Sequence, residues 1–161
     1  MPNESKSCQM PSTSKLCQPF DALKLENQLC FPIYLCSKEI TRRYRPLLEK
    51  LDLTYSQYVV MLYLWEHKTA TVGELGKVMM MDSNTLSPIL KKLEEKDYLV
   101  RERSNEDERN VELTLTETGA KLKNRAKEVP VKMGKCLDLS AKDAAEIYRL
   151  LYKILANVER N

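Results

Sequence analysis

Residues 71–116 read TVGELGKVMMMDSNTLSPILKKLEEKDYLVRERSNEDERNVELTLT and contain the signals of two helices and two strands. Thr71 and Glu74 fit a capping box, Thr-x-x-Glu, which marks the start of a first short helix. Residues 81–84 are predicted as a turn, because Asp, Ser and Asn favour the N-cap position of a following helix. Two strands around a charged loop come next. This order predicts a winged helix-turn-helix domain, in a fold that is mainly α with a small β-wing.

The second helix of this stretch, which we call the recognition helix, has one apolar and one polar face. Its apolar residues recur at i, i+3, i+4 and i+7 and are predicted to face the core. They are Leu86, Ile89, Leu90 and Leu93. The other face offers small hydrogen-bonding groups at the helix start and lysines one turn later, which suits base edges and phosphates respectively. The predicted DNA-binding residues here are Ser83, Asn84, Thr85, Ser87, Pro88, Lys91 and Lys92.

Residues 98–103 and 111–115 are predicted as two strands, because apolar and polar residues alternate in the second of them. The loop between them reads SNEDERN and is too charged to be buried. Arg109 in this loop is predicted to enter a minor groove, where the negative potential is strongest, and Asp107 to hold it in place. Arg103 is added to the predicted DNA contacts. The alternative is an ordinary small α/β domain with a solvated turn.

Composition excludes several classes of protein. The chain has 161 residues, of which 43% are hydrophobic and 30% charged, as in a helix-rich soluble domain. With only 4 glycines, a glycine-rich nucleotide loop is not expected, and the net charge of +3 allows a basic patch without requiring one. No apolar run approaches the ~18 residues of a membrane span, and no hydrophobic signal region is present, so we expect a cytoplasmic protein.

The cysteines predict free thiols and no metal. They are Cys8, Cys17, Cys30, Cys36 and Cys136. No two of them have the C-x-x-C spacing, and His67 is the only histidine, so a zinc site is improbable and no cofactor is expected. An odd number of scattered cysteines in an intracellular protein is typical of unpaired thiols.

The chain is predicted to form one domain after a flexible tail. Residues 1–20 lack periodicity, and residues 21–161 are the folded part. The winged helix-turn-helix covers about 55–116, opened by a second capping box at Thr54 and Gln57. Helical regions at about 21–51 and 117–160 carry apolar faces that a small winged domain cannot cover. We therefore expect them to be dimerisation helices of a homodimer, which presents two recognition helices to a palindromic DNA site.

Two prolines divide the first of these helical regions, and glycine and proline mark the second. Pro32 and Pro46 each lack an N–H, so the helix is predicted to start, kink or restart near them. Pro130 and Gly134 are predicted to disturb the helix that follows the wing.

Cys30 lies close to the predicted start of the first helix, where the dipole and the free N–H groups stabilise a thiolate. Tyr34 is four positions further on, within reach of the sulfur. Tyr44 lies about 21 Å along the same helix at 1.5 Å per residue, so it can meet Cys30 only from an antiparallel partner subunit. The alternative is that Cys30 is a small buried hydrophobe, the commonest fate of a free cysteine.

From about residue 25 to residue 160 the chain resembles the MarR-type winged-helix repressors, and within them the organic hydroperoxide sensors of the OhrR branch. The resemblance is carried by LENQLCF at 25–31, LTYSQY at 53–58, LWEH at 64–67, DSNTLSPILKKLE at 82–94 and DERNVELTLTETG at 107–119. It implies a homodimeric repressor on double-stranded operator DNA that is released when an organic hydroperoxide oxidises a cysteine.

The resemblance also implies roles for individual residues. Cys30 is the expected peroxide-sensing thiol, hydrogen-bonded by Tyr34 and Tyr44 across the dimer interface, with Tyr55 in the same region. Asp107 and Arg109 shape the wing. Some members of the family form a disulfide between subunits with a second cysteine, and Cys136 is the expected resolving residue.

Other functions stay open at the level of sequence. The protein can be a repressor released by a small aromatic ligand or by another oxidant, with Cys30 merely structural. It can be a thiol peroxidase, although no Arg or His near Cys30 in the sequence supplies an activating cation. An architectural DNA-binding protein is the fourth reading, and similar affinity for operator and random DNA would identify it.

Overall fold

The computed structural model describes residues 23–103 and 111–158 of the chain. The described residues divide into two compact units between residues 43 and 44, and the predicted flexible tail, residues 1–20, lies outside them. The first unit contains a 3₁₀ turn over Leu25–Asn27 and the start of helix α1, Cys30–Leu48, whose last residues belong to the second unit. The helical region was predicted from about residue 21, but the α-helix begins at Cys30. Pro32 then falls in the first turn, where the backbone N–H groups have no partner within the helix.

Helix α1 passes through Pro46 and ends at Leu48. The missing N–H of Pro46 therefore removes a hydrogen bond only in the last turn, which explains why the helix ends there and does not break earlier. A 3₁₀ turn over Glu49–Leu51 follows, and Asp52 closes it with a left-handed φ of 53°. The interruption predicted near Pro46 is thus a helix end.

In the second unit, both predicted capping boxes are present. Helix α2, Tyr55–His67, starts where Gln57 N–H donates to Thr54 Oγ1 (3.3 Å) and Thr54 N–H donates to Gln57 Oε1 (3.0 Å). Helix α3, Val72–Met79, starts with the same reciprocal bonds between Thr71 and Glu74. Each box satisfies two N–H groups that the helix itself leaves unpaired, so these starts are predictable from short sequence pairs.

The sheet has three antiparallel strands in the order β1-β3-β2, and the predicted two-stranded ribbon was incomplete. The strands are β1, Thr69–Thr71, β2, Leu99–Arg103, and β3, Val111–Leu115. In β1, Ala70 pairs with Leu113. This strand has three residues, which is too short for the alternation that reveals a strand in sequence.

Helices α4, Ser83–Glu95, α5, Glu117–Ala126, α6, Glu128–Leu137, and α7, Ala141–Val158, complete the unit. The disturbance predicted at Pro130 and Gly134 is not observed within α6. Pro130 is in the first turn of α6, and the break from α5 lies just before that turn, at Lys127. None of the helices that the structure describes is long and apolar enough to cross a membrane.

The core lies between α2, α3, α4 and the sheet, and it extends to α5 and α6. Leu64, Leu75, Leu90 and Leu113 are at its centre, and Trp65 is also buried. The Trp65 indole Nε1–H donates to the Gly119 carbonyl oxygen at 2.8 Å, which fixes α5 against α2. Leu122, Ala126 and Val129 belong to the same cluster. Helix α7, in contrast, has no buried residue.

Candidate nucleic-acid interface and thiol site

The turn between α3 and α4 is tight because of Gly76. A Cβ at this position would lie 2.9 Å from the backbone oxygen of Met81, closer than real Cβ atoms approach. Met80 ends α3 with a left-handed φ of 51°, and its N–H donates to the Gly76 and Lys77 carbonyls. The turn therefore holds α4 close to α3, as a helix-turn-helix requires.

The recognition helix is α4, and Asp82 caps it. The Asp82 carboxylate accepts from the Thr85 N–H at 2.8 Å and from the Thr85 hydroxyl at 3.2 Å. The bond from the Thr85 N–H lowers the pKa of Asp82 below its usual range, so the cap is ionised at the positive end of the helix dipole. Leu86, Leu90 and Leu93 are buried beneath it, as predicted.

All the DNA-binding residues predicted on α4 are exposed in the structure. They are Ser83, Asn84, Thr85, Ser87, Pro88, Lys91 and Lys92. Pro88 lies inside the helix, past its first turn, so one backbone carbonyl there lacks its N–H partner. Arg103 is exposed at the end of β2. Asp107 and Arg109 lie outside the described residues, and their predicted role in the wing stays a prediction.

An ion pair between α4 and β2 was not found from the sequence. Glu94, near the end of α4, accepts from Arg101 in β2 through the Nε–H at 2.7 Å, and Arg101 Nη2 lies 2.6 Å from the same carboxylate oxygen. The Arg101 backbone N–H donates to the other oxygen at 3.2 Å. These hydrogen bonds, above all those from the Arg101 side chain, lower the pKa of Glu94 below its usual range. The spacing of seven positions across a turn gives no local signal.

Cys30 is the first residue of α1 and is exposed in the single chain. Tyr34, one turn further along α1, is 58% exposed, and the Lys38 Nζ lies 5.9 Å from its ring centroid. Cys36 and Cys136 are also exposed free thiols. Within residues 23–103 and 111–158, no group of three or more His, Cys, Asp or Glu side chains is placed to hold a metal ion.

Tyr44 and Tyr55, both predicted site residues, lie together in the second unit. Their ring centroids are 5.0 Å apart, and the Tyr58 ring is 6.0 Å from that of Tyr44. Burial, followed by the neighbouring Tyr55 hydroxyl, raises the pKa of Tyr44, and burial likewise raises the pKa of Tyr58. Both hydroxyls therefore stay protonated and able to donate at neutral pH. Sequence reasoning missed Tyr58, although it lies one turn after Tyr55 in a helix.

The fold and the exposed polar face of α4 define a winged-helix DNA-binding protein. Over residues 42–126 the sequence matches the family described as Transcriptional regulator SarA/Rot. The chain belongs to this family of regulators, which are winged-helix proteins of the MarR type.

Two characterised relatives match most of the chain. The organic hydroperoxide resistance transcriptional regulator of Bacillus subtilis strain 168 is 46% identical over 144 residues, which cover 88% of this chain and 96% of that protein. The HTH-type transcriptional regulator SarZ of Staphylococcus aureus strain USA300 is 42% identical over 123 residues, covering 76% and 83%. Both relatives are named as transcriptional regulators. The prediction of a DNA-binding transcription regulator, and not a thiol peroxidase, is thereby confirmed.

Among solved structures, AbfR of Staphylococcus epidermidis is similar in three redox forms. Reduced AbfR bound to DNA is 32% identical with a TM-score of 0.72, and covers 88% of this chain and 99% of that one. Overoxidised AbfR bound to DNA is 31% identical, with a TM-score of 0.73 and the same coverage. Disulfide-formed AbfR is also 31% identical, has a TM-score of 0.61 and covers 88% and 97%. The predicted fold class is confirmed by these structures.

Replacing Asp82 by alanine is expected to weaken operator binding several-fold. The Thr85 N–H then loses its acceptor, and the first turn of α4 frays where the DNA-facing side chains lie. Serine at position 82 also caps a helix and is expected to keep most of the affinity. The two variants are compared by fluorescence anisotropy at fixed salt, together with amide hydrogen exchange at Thr85. Equal weakening by alanine and serine would contradict the role of the cap.

Proposed function

We propose that the protein is a homodimeric repressor whose two recognition helices bind a palindromic operator, and which leaves the operator when an organic hydroperoxide oxidises Cys30. The observation that carries this proposal is the exposed Cys30 thiol at the first residue of α1. The hydroperoxide resistance regulator of Bacillus subtilis and the redox forms of AbfR support it. The protein acts in the cytoplasm, where reducing conditions keep such thiols unpaired.

Helix α7 supports the homodimer. None of its residues is buried in the single chain, so its apolar face is exposed. The exposed large apolar residues of α7 are Ile147, Tyr148, Leu150, Leu151, Tyr152, Ile154, Leu155 and Val158. A continuous apolar face of this kind requires a partner, and a second copy of the chain supplies one with two-fold symmetry. Since α5 and α6 contribute to the core, the C-terminal dimerisation surface is assigned to α7 within the predicted region 117–160.

The sensing step is an attack of the Cys30 thiolate on the terminal oxygen of the hydroperoxide. The sulfur–oxygen bond forms as the oxygen–oxygen bond breaks, so Cys30 becomes a sulfenic acid and the alkoxide leaves and takes a proton to give the alcohol. The sulfur is oxidised by two electrons and the peroxide is reduced by two. We assign Tyr34 and Tyr44 of the partner subunit as hydrogen-bond donors to the thiolate, with Tyr55 packed on Tyr44 to hold its ring.

Oxidation replaces the thiolate that these hydroxyls bind, and so removes an interaction that exists only in the reduced dimer. A difference of about 2.7 kcal/mol between the DNA-competent and incompetent states changes operator occupancy about hundredfold. Loss of two charge-assisted hydrogen bonds per site is of this order. In this proposal the loss of these bonds starts the release, and a disulfide at Cys30 completes it.

Cys136 is the proposed resolving residue. Its thiolate attacks the sulfenic sulfur of Cys30, a disulfide between subunits forms as the sulfur–oxygen bond breaks, and the hydroxide that leaves takes a proton to give water. AbfR has been solved in a disulfide form, and its overoxidised form was solved on DNA, which supports the disulfide as the step that completes release. A nonreducing gel is expected to show a covalent dimer after hydroperoxide. Monomer alone would contradict the bridge and favour capping of Cys30 by a small cellular thiol.

The test uses DNA that the reduced protein selects from a random-sequence library. Binding is measured at fixed salt, because affinity for DNA depends steeply on salt. One equivalent of cumene hydroperoxide is expected to release the wild-type protein, and a dithiol to restore binding. Release by benzoate without oxidation would identify the ligand-responsive repressor instead. Steady consumption of the hydroperoxide with excess dithiol would identify a peroxidase, and equal affinity for selected and random DNA an architectural protein.

A further inference from the structure

We propose that Glu94 is a positioning residue for DNA binding, which fixes the wing to the recognition helix through Arg101 without either side chain contacting DNA. This proposal rests on the DNA-binding part of the proposed function and is independent of the redox part. We call the Glu94–Arg101 pair the wing clamp.

The wing clamp differs in geometry from the other ion pairs that the structure describes. Most of these join side chains only three or four positions apart along the chain. Glu94 and Arg101 belong to different elements, and their side chains are only 34% and 29% exposed. Both carboxylate oxygens of Glu94 are used, one by the guanidinium and one by the backbone N–H of Arg101. A carboxylate that holds both a side chain and the main chain fixes the position of the strand itself.

Glu94 is a firm anchor because the end of α4 is itself attached to the rest of the unit. Lys96, which follows α4, pairs with Asp52 at 3.1 Å. The Tyr98 N–H donates to the Leu93 carbonyl at 3.0 Å, which closes the turn into β2. The carboxylate of Glu94 therefore has a fixed place relative to the recognition helix and its core.

The register of the sheet carries this constraint towards the wing. Arg101 pairs with Leu113 and Arg103 with Val111, so the two arginines lie on the same face of β2. Arg103 is about 7 Å further along the strand and is the last residue before the loop of residues 104–110. Arg101 is therefore the point at which the recognition helix holds the strand that leads to this loop. Arg109, the predicted minor-groove residue, lies in that loop.

The charges of the wing clamp argue against a direct DNA contact. The Arg101 guanidinium donates to Glu94 at 2.7 Å and so is already occupied by an anion. The pKa of Glu94 is lowered by the same bonds, so the carboxylate is ionised at neutral pH and the pair is neutral. A neutral pair neither attracts nor repels phosphates strongly. Its effect on binding comes from geometry, and this separates it from Lys91 and Lys92, which are exposed and positive.

The experiment compares Glu94→Ala with Glu95→Ala in the reduced dimer. Both substitutions remove one negative charge from neighbouring positions of the same helix, but Glu95 is exposed and Glu94 holds the strand. Glu94→Ala is expected to lower operator affinity about tenfold and to leave affinity for random DNA unchanged, as loss of a charge-assisted hydrogen bond predicts. Hydroxyl-radical protection is expected to fade only where the wing lies. Glu95→Ala is expected to bind like wild type.

A double-mutant cycle with Arg101→Ala distinguishes the wing clamp from a direct contact between Arg101 and DNA. If the two residues act through each other, Glu94→Ala, Arg101→Ala and the double variant all bind the operator equally weakly. If Arg101 contacts a phosphate, Glu94→Ala frees it and tightens binding, which overturns the proposal. Identical operator binding by Glu94→Ala and Glu95→Ala also overturns it. If wild type itself fails to discriminate operator from random DNA, the proposed function fails. That result differs from the two results that overturn only the wing clamp.

Discussion

After one equivalent of an organic hydroperoxide, the Cys30→Ser protein is expected to remain on its operator while wild type is released. Serine is similar to cysteine in size and fits the same position at the start of α1, but its hydroxyl does not react with peroxides as a thiolate does. Because Cys30 is exposed at the first turn of α1, oxidant reaches it without opening of the fold. We expect operator occupancy to fall about hundredfold for wild type and to change less than twofold for Cys30→Ser, as measured by anisotropy.

Cys36→Ser is the matched control, because Cys36 is an exposed thiol on the same helix. It is expected to respond like wild type. Cys136→Ser is expected to lose the covalent dimer on a nonreducing gel while Cys30 is still oxidised. If Cys30→Ser is released like wild type, the thiol is structural and the repressor responds to another signal. The winged-helix assignment is unaffected by that outcome.

Gly119→Ala is expected to destabilise the protein by about 3 kcal/mol, the upper part of the range for overpacking a close contact. An added Cβ would lie 2.1 Å from the Tyr98 carbonyl oxygen, which is backbone and cannot turn aside. That oxygen also accepts from the Thr116 N–H, and the Gly119 carbonyl accepts from Trp65. Shifting α5 to make room therefore disturbs three elements at once. The free energy of unfolding is measured by urea denaturation.

Gly134→Ala provides the comparison within the same chain. Gly134 is inside α6, and a Cβ there meets no atom within 4 Å. Since alanine is the better helix former, this variant is expected to be more stable than wild type by about 0.5–1 kcal/mol. Equal stability of the two alanine variants would contradict the close packing of α5 against Tyr98.

Elements set by neighbouring residues were predictable from the sequence. The capping boxes at Thr54 and Thr71 each depend on a pair three positions apart, and both form as expected. The apolar side of α4 follows from helical periodicity alone, and Leu86, Leu90 and Leu93 are buried. The exposure of its DNA-facing side follows from the same periodicity.

Features that depend on distant pairing were missed. Strand β1 forms because Ala70 pairs with Leu113, far along the chain, and its own three residues carry no strand signal. The Glu94–Arg101 pair forms across a turn whose geometry cannot be inferred from these two residues. The tyrosine cluster required the approach of α1 and α2 at Tyr44, so Tyr58 was not counted with it. The helix limits near Pro32 and Pro46 were predicted, but whether each proline starts, kinks or ends the helix depends on its position within the helix, which the sequence leaves open by several residues.

Thr71 has one role in the sheet and another at the start of a helix. Its backbone pairs with Glu112 as the end of β1, and its side chain caps α3. Serine would serve the cap but is a weaker strand former, whereas valine would serve the strand and leave the Glu74 N–H without an acceptor. Threonine is the residue type that meets both demands. In an evolving lineage this position is therefore expected to drift more slowly than exposed positions of α3 such as Lys77.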